Sequence, residues 1–211
     1  MKLGSKEKQV KIVIDGMTGV GKSTLVKMVS EKFLLEPYEE IFLDENKLLH
    51  KFFRDREKWA FSMQVNFLTN RFRQYKEASS IGNVVMDRSI YSDDIFARMY
   101  LELGYLAEEE YDVYQGLLQS LLEELPPPSL MVFLKVEGEE AIRRIRARGR
   151  KEELEVENSY WLQLNNFYSQ NYSQYQKGKL LTLDVTRLDF VNNERDRSYI
   201  LNEIGNALSQ T

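Results

Sequence analysis

A short apolar run, residues 10–15, leads directly into a glycine-rich loop that reads GMTGVGKST, and this junction constrains the fold more than any other stretch. The loop fits the pattern G-x-x-x-x-G-K-[ST]. Glycines let backbone N–H groups approach phosphate oxygens, and the lysine adds a cation for the β- and γ-phosphates. Residues 24–33 carry apolar positions at helical spacing, so a helix N-terminus also faces the phosphates. The junction therefore predicts a site for a nucleoside triphosphate.

This loop, called the phosphate loop below, supplies most of the predicted triphosphate contacts. The residues expected to make them are Gly16, Met17, Thr18, Gly19, Val20, Gly21, Lys22, Ser23 and Thr24. The hydroxyl of Ser23 can also ligate Mg²⁺.

Further apolar runs of strand length alternate with helical patterns along the chain. The predicted strands are 10–15, 34–40, 83–88, 129–136 and 179–185, and the predicted helices are 24–33, 57–79, 109–125, 138–149, 158–175 and 193–208. Strands that alternate with helices predict an α/β fold, with a five-stranded parallel sheet covered by helices on both faces. In such a sheet the ligand binds at the carboxyl ends of the strands.

The composition excludes several classes of protein. The 211 residues suit a single domain, 1–211, and they include no cysteine, which excludes disulfides, a thiolate nucleophile and cysteine-based zinc sites. The net charge of −4 leaves no basic field for nucleic acid. The sequence has neither a signal peptide pattern nor an apolar run long enough for a membrane span, so a cytoplasmic protein is expected.

Polar residues follow the second and third predicted strands. Glu39 and Glu40 end the second strand, and one of these carboxylates could accept a proton from an acceptor hydroxyl, although a solvated acidic loop explains them as well. Asp87 and Arg88 end the third strand. We expect Asp87 to contribute to an Mg²⁺ shell and Arg88 to bridge a phosphate and a carboxylate, the alternative being a surface ion pair.

Two helices carry side chains suited to substrates. Arg144 and Arg148 share one helix face ahead of Gly149, which favours an arginine lid that closes over phosphates and excludes water. A nucleic-acid patch or a solvated helix face would explain the same arginines, but the negative net charge of the chain argues against a nucleic-acid patch. Gln64 and Arg71 lie seven residues apart on one face of the long second helix, where an amide beside an arginine can read a base edge.

The motifs described above occur together in a known protein family. The chain is similar nearly end to end to the deoxyribonucleoside kinase family, and especially to its bacterial deoxyadenosine/deoxyguanosine kinase branch. The stretches that carry the resemblance are GMTGVGKST, KWAFSMQVNFLTNRF, DRSIYSDDIF, RIRARGRKEE, the pair Tyr160–Trp161, and LLTLDV followed by DF. The resemblance implies a P-loop kinase fold with an arginine-rich lid at about residues 143–153.

The resemblance also implies a role for individual residues. Glu40 takes the place of the base that deprotonates the nucleoside 5′-hydroxyl, Asp87 that of the Mg²⁺-associated carboxylate, and Arg88 that of the residue supporting the base and the 5′-oxygen. The positions that match substrate contacts are Gln64, Arg71 and Asp93 for the acceptor base, Phe96 for stacking on it, and Glu153 for the sugar 3′-hydroxyl. The positions that match donor contacts are Arg144, Arg148 and Arg150 in the lid, with Asp189 and Phe190 beside the donor adenine.

Two positions depart from the family pattern. The family usually spaces its base five residues before an asparagine, whereas Glu40 and Asn46 are six apart, which leaves Glu39 as a rival base. Phe53 stands where a tyrosine usually contacts the sugar hydroxyl. Because phenylalanine cannot donate that hydrogen bond, a different affinity or selectivity for the sugar is expected.

The predicted activity is Mg²⁺- and ATP-dependent phosphorylation of a deoxynucleoside 5′-hydroxyl for nucleotide salvage, with deoxyadenosine favoured over deoxyguanosine or deoxycytidine. No nucleic-acid or membrane partner is expected. Apolar stripes on helices 58–78 and 109–124, together with the resemblance, predict a homodimer. A nucleoside monophosphate kinase of the thymidylate type is an alternative, although Glu152 and Glu153 suit hydroxyls better than a second phosphate. A non-catalytic nucleotide-dependent switch is a further alternative.

Overall fold

A computed structural model of the chain describes residues 9–39 and 47–209, and five parallel strands form one sheet within them. The strands are β1 (Ile12–Gly16), β2 (Glu36–Tyr38), β3 (Val84–Asp87), β4 (Leu130–Lys135) and β5 (Leu180–Asp184). Their order across the sheet is β2-β3-β1-β4-β5, and every neighbouring pair is parallel. The predicted five-stranded parallel α/β sheet is therefore confirmed.

The burial of the strands follows their position in the sheet. The three central strands, β3, β1 and β4, are almost continuously apolar and buried, as expected where helices cover both faces. The edge strands β2 and β5 are partly exposed. β2 is shorter than the predicted 34–40, because Leu34 adopts a left-handed conformation (φ 55°) and its N–H closes the preceding helix on the carbonyl of Ser30.

Helices connect the strands. They are α1 (Lys22–Phe33), α2 (Leu48–Arg54), α3 (Arg56–Ile81), α4 (Asp94–Glu102), α5 (Glu108–Glu123), α6 (Gly138–Arg148), α7 (Lys151–Leu154), α8 (Asn158–Ser173) and α9 (Glu194–Ser209), with a 3₁₀ turn at Ile90–Ser92. The six predicted helices are present, with ends that shift by a few residues. The sequence did not predict α2, α4 and α7, which are too short for a clear apolar period. Among the described helices, none is both long and apolar enough to cross a bilayer.

The register of the central strands fixes where the phosphate loop emerges. Ile14 of β1 pairs with Asp87 at the end of β3, and Gly16 pairs with Leu134 on the other side. A Cβ atom on Gly16 would lie 2.7 Å from the carbonyl oxygen of Leu134, and the φ of Gly16 is +148°. Only glycine fits this junction, and it sends the chain into the phosphate loop between the ends of β3 and β4.

Candidate active site

The phosphate loop has the geometry that its sequence predicts. Lys22 begins α1, and its Nζ donates to the carbonyl oxygens of Gly16 and Met17, each at 3.1 Å. Gly21 is left-handed (φ +104°), and a Cβ atom there would lie 2.7 Å from the ring of Phe190. The loop therefore wraps around the lysine ammonium and keeps the start of α1 open to an anion.

Ser23 and Asp87 form a compact oxygen pair beneath the loop. The Ser23 hydroxyl donates to Oδ2 of Asp87 at 2.5 Å. The other carboxylate oxygen, Oδ1, is buried and has no hydrogen-bond partner among the described residues. A hydroxyl and a carboxylate beside a phosphate site are the ligands that Mg²⁺ takes in nucleotide enzymes, together with phosphate oxygens. The two residues therefore fit the metal role predicted for them.

A polar cavity of about 980 Å³ lies over the phosphate loop. Its lining comprises residues 19–24, then Glu140, Arg143, Arg144, Ala147, Arg148 and Arg150, and residues 186–192. Asp189 and Phe190, predicted to lie beside a donor adenine, are in the last segment. The carboxylate of Asp189 accepts the backbone N–H of Asn192 at 3.1 Å, and this contact lowers its pKa. The polar cavity thus brings together the loop, the predicted lid and the predicted adenine-binding residues.

Arg144 joins α6 to the chain that follows β5. Its Nε donates to Glu140 at 2.7 Å, and an NH₂ group donates to the carbonyl of Val185 at 2.7 Å. Hydrogen bonds from Arg143 and Arg144 hold the pKa of Glu140 at about 2. Glu140 therefore stays ionised and anchors Arg144 as a wall of the polar cavity.

The lid arginines gather around Glu153. Helix α6 ends at Arg148 because Gly149 is left-handed (φ 73°), and α7 begins two residues later. One nitrogen of Arg148 donates to both carboxylate oxygens of Glu153, at 2.6 and 2.7 Å, and Arg150 lies 3.8 Å from the same carboxylate. Arg148 borders the polar cavity, whereas Arg150 also borders the cavity described next.

An aromatic cavity of about 390 Å³ lies on the other side of these arginines. The described residues that line it are Thr18, Leu49, Phe52, Phe53, Met63, Gln64, Phe67, Arg71, Arg88, Phe96, Tyr100, Arg150, Glu153, Val156, Tyr160 and Trp161. They include every predicted acceptor-site residue except Asp93. The guanidinium of Arg88 lies 5.7 Å from the ring centroid of Phe96. A flat apolar ligand with a polar edge suits these walls.

Asp93 lies behind Arg71 and does not line the aromatic cavity. Its carboxylate is almost completely buried and forms an ion pair with Arg71, whose guanidinium lies 5.0 Å from the ring centroid of Phe67. The contact between Asp93 and a base that the sequence predicts therefore stays a prediction. The ion pair with Asp93 fixes the direction in which Arg71 donates.

Two tyrosines of the aromatic cavity were not predicted. The hydroxyls of Tyr100 and Tyr160 share a hydrogen bond of 3.0 Å. Burial raises the pKa of Tyr160 to about 12 and that of Tyr100 well above its ordinary value, so both remain protonated at neutral pH. Phe53 is 40% exposed at the mouth of the same cavity. Tyr160 belongs to the pair Tyr160–Trp161 that carries the family resemblance, but nothing in the sequence places the hydroxyl of either tyrosine in the site.

Of the two candidate bases, Glu40 and Glu39, only Glu39 lies within the described residues. Glu40 lies outside the described residues, so its role stays a prediction. The side chain of Glu39 is 63% exposed and pairs with Lys27 at 3.6 Å. Glu39 is not among the described residues that line either cavity. Its position gives no support to Glu39 as the rival base.

Comparisons with known proteins agree with this geometry. A sequence model of the deoxynucleoside kinase family matches residues 12–209. The chain is 36% identical to a deoxyguanosine kinase of Lactobacillus johnsonii, over 92% of this chain and 90% of that one. It is 33% identical to a deoxyadenosine/deoxycytidine kinase of Bacillus subtilis, over 93% and 92%. The structure of deoxyadenosine kinase from M. mycoides with bound dATP superposes with a TM-score of 0.80 at 31% identity, over 93% of this chain and 100% of that one.

The predicted resemblance and the P-loop kinase fold are thereby confirmed. The similarity extends over almost the whole length of named kinases, so the alternative of a non-catalytic switch is wrong. The alternative of a thymidylate-type kinase is also wrong, because the matching family acts on nucleosides. The chain belongs to the deoxynucleoside kinase family.

Proposed function

We propose that this enzyme transfers the γ-phosphoryl group of ATP to the 5′-hydroxyl of a deoxynucleoside. The observation that carries the proposal is the meeting of two unlike cavities at Arg150, where Ser23, bonded to Asp87, lines the polar cavity and Arg88 lines the aromatic cavity. The polar cavity suits a triphosphate, and the aromatic cavity suits a nucleoside. The shared border is where a phosphoryl group would pass from one to the other.

ATP takes the polar cavity. Backbone N–H groups of the phosphate loop bind the phosphate oxygens, and Lys22 exchanges its carbonyl partners for the β- and γ-phosphates. Ser23 and Asp87 would hold Mg²⁺, which supplies charge neutralisation at the phosphate oxygens when it is bound. The adenine lies toward Asp189 and Phe190, which line the cavity within residues 186–192.

The acceptor hydroxyl needs a base and the transferred group needs cations. Glu40 takes the proton of the 5′-hydroxyl, the 5′-oxygen forms a bond to the γ-phosphorus, and the bond from that phosphorus to the bridging oxygen breaks, so that ADP leaves. Arg88 supports the 5′-oxygen. Arg148 and Arg150 meet the charge that develops on the transferring group. Excluding water from this border keeps the phosphoryl group from hydrolysis.

We propose that the acceptor base is adenine, guanine or cytosine rather than thymine, with deoxyadenosine preferred. Gln64 can make a two-point contact to a base edge, while Arg71 only donates. Phe96 and Phe67 provide faces for stacking. We propose that the carboxylate of Asp93, the ion-pair partner of Arg71, accepts a hydrogen bond from an exocyclic amine once a base is bound, whereas the thymine methyl cannot donate one. The names of the relatives, which include deoxyguanosine, deoxyadenosine and deoxycytidine kinases, support this range.

We also propose a homodimer that works in cytoplasmic nucleotide salvage. Val113 is 63% exposed and Leu117 is 38% exposed on α5, which packs beside α3, and Ile81 at the end of α3 is 40% exposed. A second copy that covered this apolar face would remove it from water. Sedimentation at micromolar concentration is expected to give twice the mass of 24.9 kDa. A single-chain mass would refute the dimer.

An ADP-release assay tests the activity. Purified enzyme is supplied with ATP, Mg²⁺ and each of the four deoxynucleosides or their monophosphates, and the product is identified as the 5′-monophosphate. We expect turnover with deoxyadenosine, deoxyguanosine or deoxycytidine, and none with the monophosphates. Lys22→Ala is the matched inactive control. Thymidine as the best substrate by kcat/KM would overturn the base assignment, and turnover of monophosphates alone would overturn the function.

A further inference from the structure

Asp15 is a completely buried carboxylate that none of the proposed steps uses. It lies at the end of β1, directly before Gly16, and its exposed fraction is 0%. Its neighbours in the strand are apolar. A carboxylate removed from water is costly unless a cation or several donors face it. A buried carboxylate at the start of the phosphate loop is therefore expected to have a charged or hydrogen-bonding partner within the site.

The groups around Asp15 identify that partner. The backbone N–H of Gly16 donates to Oδ1 at 2.6 Å, and Nε of Arg88 lies 3.9 Å from the same oxygen. The second oxygen, Oδ2, is buried with no hydrogen-bond partner among the described residues. Tyr172 also faces the carboxylate, and its pKa is raised well above the ordinary value, first by burial and then by the charge of Asp15. Tyr172 therefore stays neutral, and Arg88 supplies the positive charge.

The backbone of Arg88 is strained in a way that aims its side chain. Its φ is +61°, in the left-handed region that an arginine seldom adopts. Its N–H donates to the carbonyl of Ile14 at 2.9 Å, which docks residue 88 beside Asp15. Strain of this kind persists only where the surroundings fix it, and it clusters at functional sites. The left-handed conformation of Arg88 turns the chain away from the direction of β3, and the Arg88 side chain borders the aromatic cavity.

We propose that Asp15 is a positioning residue for phosphoryl transfer. Its buried charge holds the guanidinium of Arg88 at the border between the phosphate loop and the aromatic cavity, and its hydrogen bond to Gly16 ties that guanidinium to the start of the loop. Asp15 thereby fixes the position of the acceptor 5′-oxygen relative to the phosphates of ATP. This inference rests on the proposed function, in which Arg88 supports the 5′-oxygen.

The variant Asp15→Asn separates charge from shape. Asparagine has nearly the same volume and keeps an oxygen for the N–H of Gly16, but it does not attract Arg88 electrostatically. We expect kcat to fall by about 10-fold or more, since misplacement by about 1 Å can cost 10²-fold. The KM for ATP is expected to change by less than about 3-fold, since the phosphate loop keeps its hydrogen bond. A raised KM for ATP with unchanged kcat would overturn the proposal.

A double-mutant cycle tests whether Asp15 acts through Arg88. The cycle compares Arg88→Met with Asp15→Asn/Arg88→Met. If the proposal is right, adding Asp15→Asn to Arg88→Met lowers kcat by less than about 2-fold, because the residue it positions is already gone. A further loss of about 10-fold or more would overturn it. This comparison stands even where Asp15→Asn does not fold, since removing both members of a buried pair is tolerated better than removing one.

Val13→Ala controls for lost stability. Val13 is buried on the same strand, and its truncation lowers the unfolding temperature without removing a charge. Its kcat, measured below that temperature, is expected to match the unmodified enzyme. An equal loss of kcat in Val13→Ala would mean that Asp15 is merely structural, which would overturn the proposal. The proposed function fails separately, by absence of deoxynucleoside phosphorylation in the unmodified enzyme.

Discussion

The polar cavity and the aromatic cavity are built in opposite ways. The polar cavity is large, about 980 Å³, and its lining comes from three short stretches of chain. The aromatic cavity is smaller, about 390 Å³, and its lining comes from the phosphate loop, α2, α3, the end of β3, α4, the lid and α8. The phosphate loop at the centre of the polar cavity is therefore encoded in one continuous stretch, whereas the aromatic cavity exists only after distant helices have packed together.

The difference separates two kinds of recognition. A triphosphate presents the same charges whatever its base, so the backbone N–H groups of the phosphate loop and the arginines of α6 and the lid can bind it without contacting a base edge. A nucleoside is distinguished by its base edge, which requires polar groups placed among apolar walls. Changes on the polar side are thus expected to alter kcat for all acceptors. Changes on the aromatic side are expected to alter KM and the choice among acceptors.

The largest effect is expected from Glu40→Gln, which removes the proposed base. The glutamine keeps the shape of the side chain and cannot accept the proton of the 5′-hydroxyl. We expect kcat to fall by roughly 10²-fold or more, with ATP binding unchanged. Steady-state kinetics measures kcat, and an ATP titration measures ATP binding. Glu39→Gln is the matched control and is expected to be nearly normal; the reverse result would move the base by one residue.

Arg148→Ala tests the polar side at the transferring group. In the proposed mechanism its guanidinium meets charge that develops only during transfer, so kcat is expected to fall by about 10²-fold while the KM for the nucleoside changes little. Arg150→Ala is expected to behave in the same way. Lys151→Ala is the control, because Lys151 is an exposed cation at the start of α7 that is not among the described residues lining either cavity. A higher nucleoside KM with unchanged kcat would contradict this role.

Gln64→Leu tests the aromatic side. The substitution keeps a buried side chain of similar size but leaves the polar base edge without its partner. An unpaired buried polar group corresponds to a loss of roughly 5- to 150-fold in kcat/KM for the deoxynucleoside. The KM for ATP is expected to stay the same. Ser62→Ala, on the exposed face of α3, is the control. A matching rise in the KM for ATP would show that the two cavities are not separate in function.

The smallest effect is expected from Phe53→Tyr, which adds one hydroxyl at the mouth of the aromatic cavity. A new hydrogen bond to the sugar would lower the KM for a deoxynucleoside by about 2- to 10-fold. A 2′,3′-dideoxynucleoside lacks the 3′-hydroxyl, so its KM is expected to be unchanged. Equal improvement for both substrates would indicate that the hydroxyl acts on something other than the sugar.

The same contrast explains what the sequence could predict. The junction of β1, the phosphate loop and α1 is continuous in the chain, so its pattern determined both the structure and the ligand class. Gln64 and Arg71 share a face of one helix, and helical spacing alone placed them together. The strand ends were predictable because parallel strands bring their carboxyl ends to one edge of the sheet.

Residues whose roles depend on packing between distant segments were not predictable. Tyr100 and Tyr160 meet only because α4 and α8 contact each other. The place of Asp93 behind Arg71 depends on how α3 lies against the chain before α4. Arg144 shares a helix face with Arg148, as predicted, but its anchoring to the carbonyl of Val185 depends on the position of β5.

Arg150 borders both cavities. Glu153 borders the aromatic cavity and binds Arg148, which borders the polar cavity. Occupancy of either cavity is therefore expected to change the electrostatic surroundings of the other. Linkage then imposes a reciprocal relation: the factor by which a bound nucleoside changes the dissociation constant of ATP must equal the factor by which bound ATP changes that of the nucleoside. A single cluster of lid side chains thus sets one coupling free energy for both substrates.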